Sequence, residues 1–230
     1  GMNNSIVMKM GYISAGDFMI GSNSGDAYEK PVRKVRIIKV FYMDQTAVTQ
    51  AQYRTVMVRN PIYFKGDNLP VETVSWNDAT NFCKKLSQKE GKIYRLPTEA
   101  QWEYACRAGA TTKYSFGNNE SDLDAYAWYG YDKSGKRTHP VGAKKPNGFG
   151  LYDMPGNVWE WCRDWYDSDY YNKNIRTDPE NTQGASHRVL RGGCWLSDAN
   201  YCQSANRRWF VPRGGRGYGG VWGVDLGDER

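Results

Sequence analysis

Between Asn147 and Trp161 the chain gathers the side chains best suited to hold a hard cation. Asn147, Asp153, Asn157 and Glu160 offer oxygen ligands or turn-forming groups. Gly148, Gly150 and Gly156 leave the backbone free to curl around them. Phe149, Tyr152, Trp159 and Trp161 are apolar anchors, and the two tryptophans, two positions apart, fall on one face of a strand. A second reactive set is the thiols Cys83, Cys106, Cys162, Cys194 and Cys202. Their number is odd and no pair is spaced CxxC. With only His139 and His187 beside them, the usual zinc layouts are missing. Cys83 and Cys106 lie on amphipathic helical patterns and read as buried thiols. The third set is the tail, 196–222. Its Tyr201, Arg208, Trp209, Phe210, Arg213, Arg216, Tyr218 and Trp222 are residue types that supply binding hot spots.

These groups need a frame. Residues 5–21 read as strands meeting at Gly11 and Gly16, and 32–42 as one strand with a solvated basic face. Three helix starts follow, each a hydroxyl answered three residues later: Thr49 by Gln52, Ser75 by Asp78, Thr98 by Gln101. Apolar stripes at Tyr53/Val56/Met57, Ala79/Phe82/Cys83/Leu86 and Trp102/Ala105/Cys106 mark the buried faces. Glu99 and Glu103 are expected to pair with arginines such as Arg95 or Arg107. Residues 109–146 read as loop. The polar, tyrosine-rich stretch 162–187 is expected to be a surface insertion. His187–Trp195 returns as a strand, with Cys194 and Trp195 on opposite faces. With no repeat and no linker, the chain reads as a single loop-rich α+β domain over 5–226.

Composition narrows the class. The 230 residues include 9 Trp and 17 Tyr, enough aromatic mass to build a core without long helices. Mean hydropathy is −0.76, and no apolar run is long enough to span a membrane. Gly1-Met2-Asn3-Asn4 shows no signal-peptide layout. The sequence as it stands therefore reads as cytoplasmic. Gly1 before Met2 looks like a tag remnant, which leaves export or surface display open. The formal charge of +6 has two readings. The favoured one is a mildly basic solvated surface. The other is an acidic partner, suggested by the clustering of Arg207, Arg208, Arg213 and Arg216. Interleaved arginines and aromatics also suit stacking on bases. No nucleic-acid motif accompanies them, so the expected partner is a protein or other macromolecular ligand.

The stretch N-G-F-G-L-Y-D-M-P-G-N-V-W-E-W at 147–161 resembles the central signature of the formylglycine-generating enzyme family, the sulfatase-modifying factors. Tyr94–Arg107 (Y-R-L-P-T-E-A-Q-W-E-Y-A-C-R) and Arg188–Trp195 (R-V-L-R-G-G-C-W) match in family order. Weaker matches occur at 18–21, 48–53 and 70–79. The resemblance implies a mixed, loop-rich fold of the C-type-lectin-like kind. It implies a calcium ion held by the side chains of Asp153 and Glu160 and the carbonyls of Gly156 and Val158. The alternative for these two carboxylates is a turn cap at Asp153 and an arginine partner for Glu160. A second calcium site of the family has an asparagine where this chain has Tyr126, and is not expected. Two histidines cannot build the three-histidine iron site of the sulfoxide-synthase relatives. In members that oxidise a peptidyl cysteine to formylglycine, copper(I) sits on two thiolates, at positions matching Ser197 and Cys202. A serine hydroxyl is a poor ligand for Cu(I), so copper is not expected and Cys202 reads as a buried small residue. It would be catalytic only if the chain were an oxidase.

The tail adds a second resemblance. From Arg208 to Val221 there is no Lys, Glu, Gln or Met. Randomising the adenines of asparagine codons also cannot produce those four, although Trp209 breaks the rule. The pattern resembles variable proteins of diversity-generating retroelements, some of which carry variable residues near the C-terminus of this fold. The plainer alternative is a fixed Gly/Arg-rich loop. The expected function is therefore non-catalytic ligand binding through 196–222. The alternative is copper-dependent oxidation of a sulfatase-type cysteine peptide.

Overall fold

The computed structural model describes residues 7–214, 219–220 and 223–225. The chain opens with strands β1 (Met10–Ile13) and β2 (Gly16–Ile20). Gly11 lies inside β1 rather than breaking it. The expected single strand over 32–42 is instead two, β3 (Arg33–Ile37) and β4 (Phe41–Asp44), in different sheets. The break comes where the Ile38 N–H leaves the ladder and donates to Asp178 Oδ1 at 3.1 Å. Within β3 the basic face is solvated at Lys34 and Arg36, which both pair with Asp17. Arg33 is buried.

All three helices start where their caps place them: α1 (Gln50–Val56), α2 (Trp76–Glu90) and α3 (Glu99–Arg107), each with both arms of a capping box. Gly91 closes α2 in the left-handed conformation at φ 70°, which suits glycine. Removing the Ser75 hydroxyl strips one N–H of its acceptor, so Ser75→Ala costs about 1 kcal/mol in chemical denaturation. An unchanged midpoint would mean water replaces the cap fully.

β5 (Tyr94–Arg95), β6 (Trp159–Trp165), β7 (Arg188–Arg191), β8 (Arg208–Phe210), β9 (Gly219–Gly220) and β10 (Val224–Asp225) complete the sheets. One sheet runs β1-β4-β10-β5, another β8-β7-β6-β9, and β2 pairs with β3. The tail thus returns twice into the fold, beside β6 and between β4 and β5. Gly223 anchors the second return by exchanging backbone and side-chain bonds with Asp44.

β6 divides two cores. Glu160, Cys162 and Asp164 turn toward α3, where Trp102, Ala105, Val35 and Ile37 pack. Trp159 and Trp161 turn the other way, onto Tyr53, Phe82 and Leu86 of α1 and α2, and the Trp161 indole donates to Val74 O at 3.0 Å. The expected surface insertion at 162–187 is corrected here: Tyr170, Tyr171 and Asn181 are buried. The Arg33 and Arg207 guanidinium groups lie 5.1 and 4.4 Å from the Tyr171 ring centroid. Cation–π packing lets a polar-looking stretch join the core.

Candidate functional site

The central segment is a sequence of tight turns. Gly156 has φ 82°, and a Cβ there would fall 2.4 Å from the Trp128 carbonyl oxygen, so only glycine fits. Asp153 and Asn157 take φ of 55° and 60°, which Asx side chains tolerate better than most. Two of the four oxygen candidates are consumed by the backbone. Asn147 donates to the Ala105 and Cys106 carbonyls and accepts from Phe149 and Leu151. Asn157 exchanges both its amide groups with the His139 backbone.

Asp153 and Glu160 remain. Asp153 Oδ2 accepts the Gly142 N–H at 2.7 Å, while its Oδ1 has no hydrogen-bond partner among the described residues. Glu160 Oε2 accepts the Trp102 indole N–H, and its Oε1 is likewise unpartnered. Both residues are buried. Burial pushes the Asp153 carboxyl up to about 6. Burial raises Glu160 well above the usual carboxylate range, and the Asp153 charge adds to that rise. Two buried carboxylates, each with a free oxygen, are the donor chemistry that a hard cation would use. The alternative roles are half met, since Asp153 does accept a loop N–H but Glu160 is met by an indole. Tyr126 stacks on Phe116 at 4.2 Å.

Cys194 and Cys202 lie in a second group of turns. β7 ends at Arg191, and Gly192 and Gly193 follow at φ 97° and 78°. Cys194 and Trp195 therefore sit in a turn, not on opposite faces of a strand as expected. A Cβ on Gly193 would meet Cys202 Sγ at 2.8 Å. Ser197 Oγ accepts the Cys194 N–H at 3.0 Å and lies 3.3 Å from Cys194 Sγ. All five cysteines are free and buried. Burial pushes Cys106 up to about 12, raises Cys194, and raises Cys202 well above the usual thiol range.

The tail candidates separate. Arg207, counted with the exposed basic cluster in the acidic-partner reading, is fully buried. It forms a two-pronged pair with Glu99, at 2.7 and 2.9 Å. Arg208 is half-buried and lies 4.3 Å over the Tyr201 ring, with Trp159 6.3 Å from Tyr201. Trp209 stacks on Tyr166 at 4.1 Å and meets Tyr28 edge-on at 5.5 Å. Phe210 packs toward the α1–α2 core, and Arg213 is exposed. Arg216, Tyr218 and Trp222 lie outside the described residues. Sequence reasoning missed Tyr28, Trp159 and Tyr166 as neighbours of this surface. Their aromatic character was visible, but only the fold brings them to the tail.

The Sulfatase-modifying factor enzyme 1-like domain family matches residues 3–221. The chain belongs to this family. Among sulfatase-modifying-factor relatives, the formylglycine-generating enzyme of Streptomyces coelicolor is 30% identical, over 83% of this chain and 79% of that protein. Among solved structures, Treponema denticola variable protein 1 superposes with a TM-score of 0.91 at 32% identity, covering 97% of this chain and 96% of that one. PvdO from Pseudomonas aeruginosa gives 0.85 at 28%, covering 94% of each. The α+β, C-type-lectin-like scaffold is therefore that of the sulfatase-modifying factors. No helix among the described residues is long and apolar enough to cross a membrane.

Proposed function

We propose that the chain is a non-catalytic ligand-binding protein built on the sulfatase-modifying-factor scaffold. The observation that carries this reading is Ser197. It stands where the copper-binding members place a thiolate, and its hydroxyl is already bonded to the Cys194 backbone. The remaining matched thiol, Cys202, is buried, and one thiolate beside a serine hydroxyl does not make the paired sulfur set that Cu(I) prefers. Tyr201, Arg208, Trp209 and Arg213 form the accessible part of the ligand surface, on a macromolecular partner of unassigned identity. A calcium ion on Asp153, Glu160 and the Gly156 and Val158 carbonyls is its structural support.

The sharpest form of the proposal is a retroelement-diversified variable protein. Its support is the near-full-length likeness to Treponema denticola variable protein 1 and the restricted residue set of 208–221. Sequencing the gene's 3′ flank tests it. A near-copy of the 190–226 coding segment with mismatches at adenines is the expected result. Its absence leaves a constant binding loop.

A second reading, copper-dependent oxidation of a cysteine peptide, is favoured by the retained Cys202 and by the likeness to formylglycine-generating enzymes. Incubating the protein with a cysteine peptide, copper and oxygen separates the two. No aldehyde above a Cys202→Ala control is expected. Aldehyde formation would overturn the non-catalytic reading.

A further inference from the structure

Beside the Tyr201–Arg208 surface lies a cavity of about 400 Å³. It opens between two short 3-10 turns, Ala27–Glu29 and Ala199–Cys202. Its floor is Glu29 and Asn206, only 2% and 4% exposed. The two are joined through Asn206 Nδ2, which donates to Glu29 Oε1 at 3.1 Å. That bond leaves Glu29 Oε2 and Asn206 Oδ1 without partners among the described residues. A buried acceptor left unmet costs about 1–3 kcal/mol, and folded proteins keep few of them. Here two share one cavity.

The floor cannot easily turn aside to satisfy itself. Arg191 donates to the Asn206 carbonyl, and Arg207 holds the Tyr28 carbonyl at 2.7 Å. A Cβ on Gly25 would fall 1.7 Å from Glu29 Oε2, so the preceding loop is packed onto the carboxylate. The rim adds Asp26 and Asp198, each at the N-cap of its turn without a side-chain capping bond. Lys113 is the only cation among the described lining residues, against three carboxylates.

We propose that this cavity receives the ammonium group of a lysine side chain from the protein partner. This rests on the reading of the neighbouring surface as a binding face. An ammonium is compact and carries three donors and no acceptor. Its three donors match in number the two free floor acceptors and one rim carboxylate. A guanidinium would bring five donors in a fixed plane against two floor acceptors. Burial raises the Glu29 carboxyl above its ordinary value, and a docked cation favours the charged form again.

The test is an NMR titration of the wild-type chain with N-acetyl-lysine methylamide, following the Asn206 side-chain amide and the Gly25 backbone amide. A saturable shift in the millimolar range is expected, with none from the neutral norleucine analogue. Glu29→Gln weakens it about tenfold or more, as for loss of a charged hydrogen bond. Asp198→Asn, at an exposed position that folds regardless, weakens it about threefold. Lys113→Gln leaves it unchanged or tighter. No saturable shift in the wild type overturns the proposal, as does equal binding by norleucine. Unchanged affinity in Asp198→Asn places the cation elsewhere and also overturns it. Binding seen only in Lys113→Gln would mean that Lys113 itself fills the cavity. The aldehyde assay does not read this titration, so either reading can fail alone.

Discussion

Arg191→Ala is expected to lower the unfolding free energy by about 3 kcal/mol, near the low end for breaking a buried ion pair, and the melting temperature by roughly 10 °C. Arg191 is fully buried among Glu99, Glu103, Arg107 and Arg207. Its guanidinium pairs with Glu103, sits 3.3 Å from Glu99, and donates to the Ser204 and Asn206 carbonyls. Those carbonyls belong to the turn that leads into β8, so the arginine ties the ligand surface to α3. The low end is chosen because neither carboxylate is left bare. Arg107 stays 2.8 Å from Glu103, and Arg207 stays 2.7 Å from Glu99. What is lost is two carbonyl partners and the volume of a large side chain. Thermal and denaturant unfolding check the value. Arg191→Met, which keeps most of the buried volume, should recover part of the loss, because Arg107 and Arg207 still meet both carboxylates. A cost below about 1 kcal/mol would show the cluster behaving like a solvated surface pair.

Calcium is expected to raise the melting temperature over that in chelator by roughly 5–10 °C. This corresponds to about 2.7 kcal/mol when the ion is present at a hundredfold its dissociation constant. Asp153 and Glu160 each keep an oxygen without a partner, and both carboxyls lie above their ordinary values because they are buried. A group whose folded pKa is raised binds more protons folded than unfolded. In chelator, stability should therefore fall as pH rises from about 4, the unfolded carboxylate value, through about 6 for Asp153. Calcium should remove that fall. Glu160→Gln keeps an acceptor for the Trp102 indole and removes a buried charge. In chelator it should be at least as stable as the wild type, yet show little or no calcium increment. A full increment in Glu160→Gln would place the ion elsewhere.

How much was legible beforehand follows from the range of each interaction. The three helix starts were readable because a capping box closes within four residues, as at Ser75 and Asp78. The scaffold was readable because its motifs are contiguous stretches matching one family in order. The failures are long-range. Arg207 looked like part of an exposed basic cluster, and it is buried because Glu99, 108 positions away, meets it with both oxygens. Tyr170 and Tyr171 looked like surface residues, and Arg33 and Arg207 bring them inside. The 32–42 stretch alternates well enough to be one strand, and a bond from Ile38 to distant Asp178 divides it.

The sequence by itself determined the fold family, the three helix caps, the run of oxygen-bearing side chains at 147–161 and the serine at 197. Each of these is a matter of residue type and local spacing. Only the tertiary structure decided which oxygens remain free. Asn147 and Asn157 spend theirs on the backbone of other segments, whereas Asp153 and Glu160 do not. Only it placed Glu29 beside Asn206, 177 positions apart, with an unmet acceptor on each. Residue type fixes which bonds a side chain can make. Which of them are already made depends on partners that the chain brings in from far away.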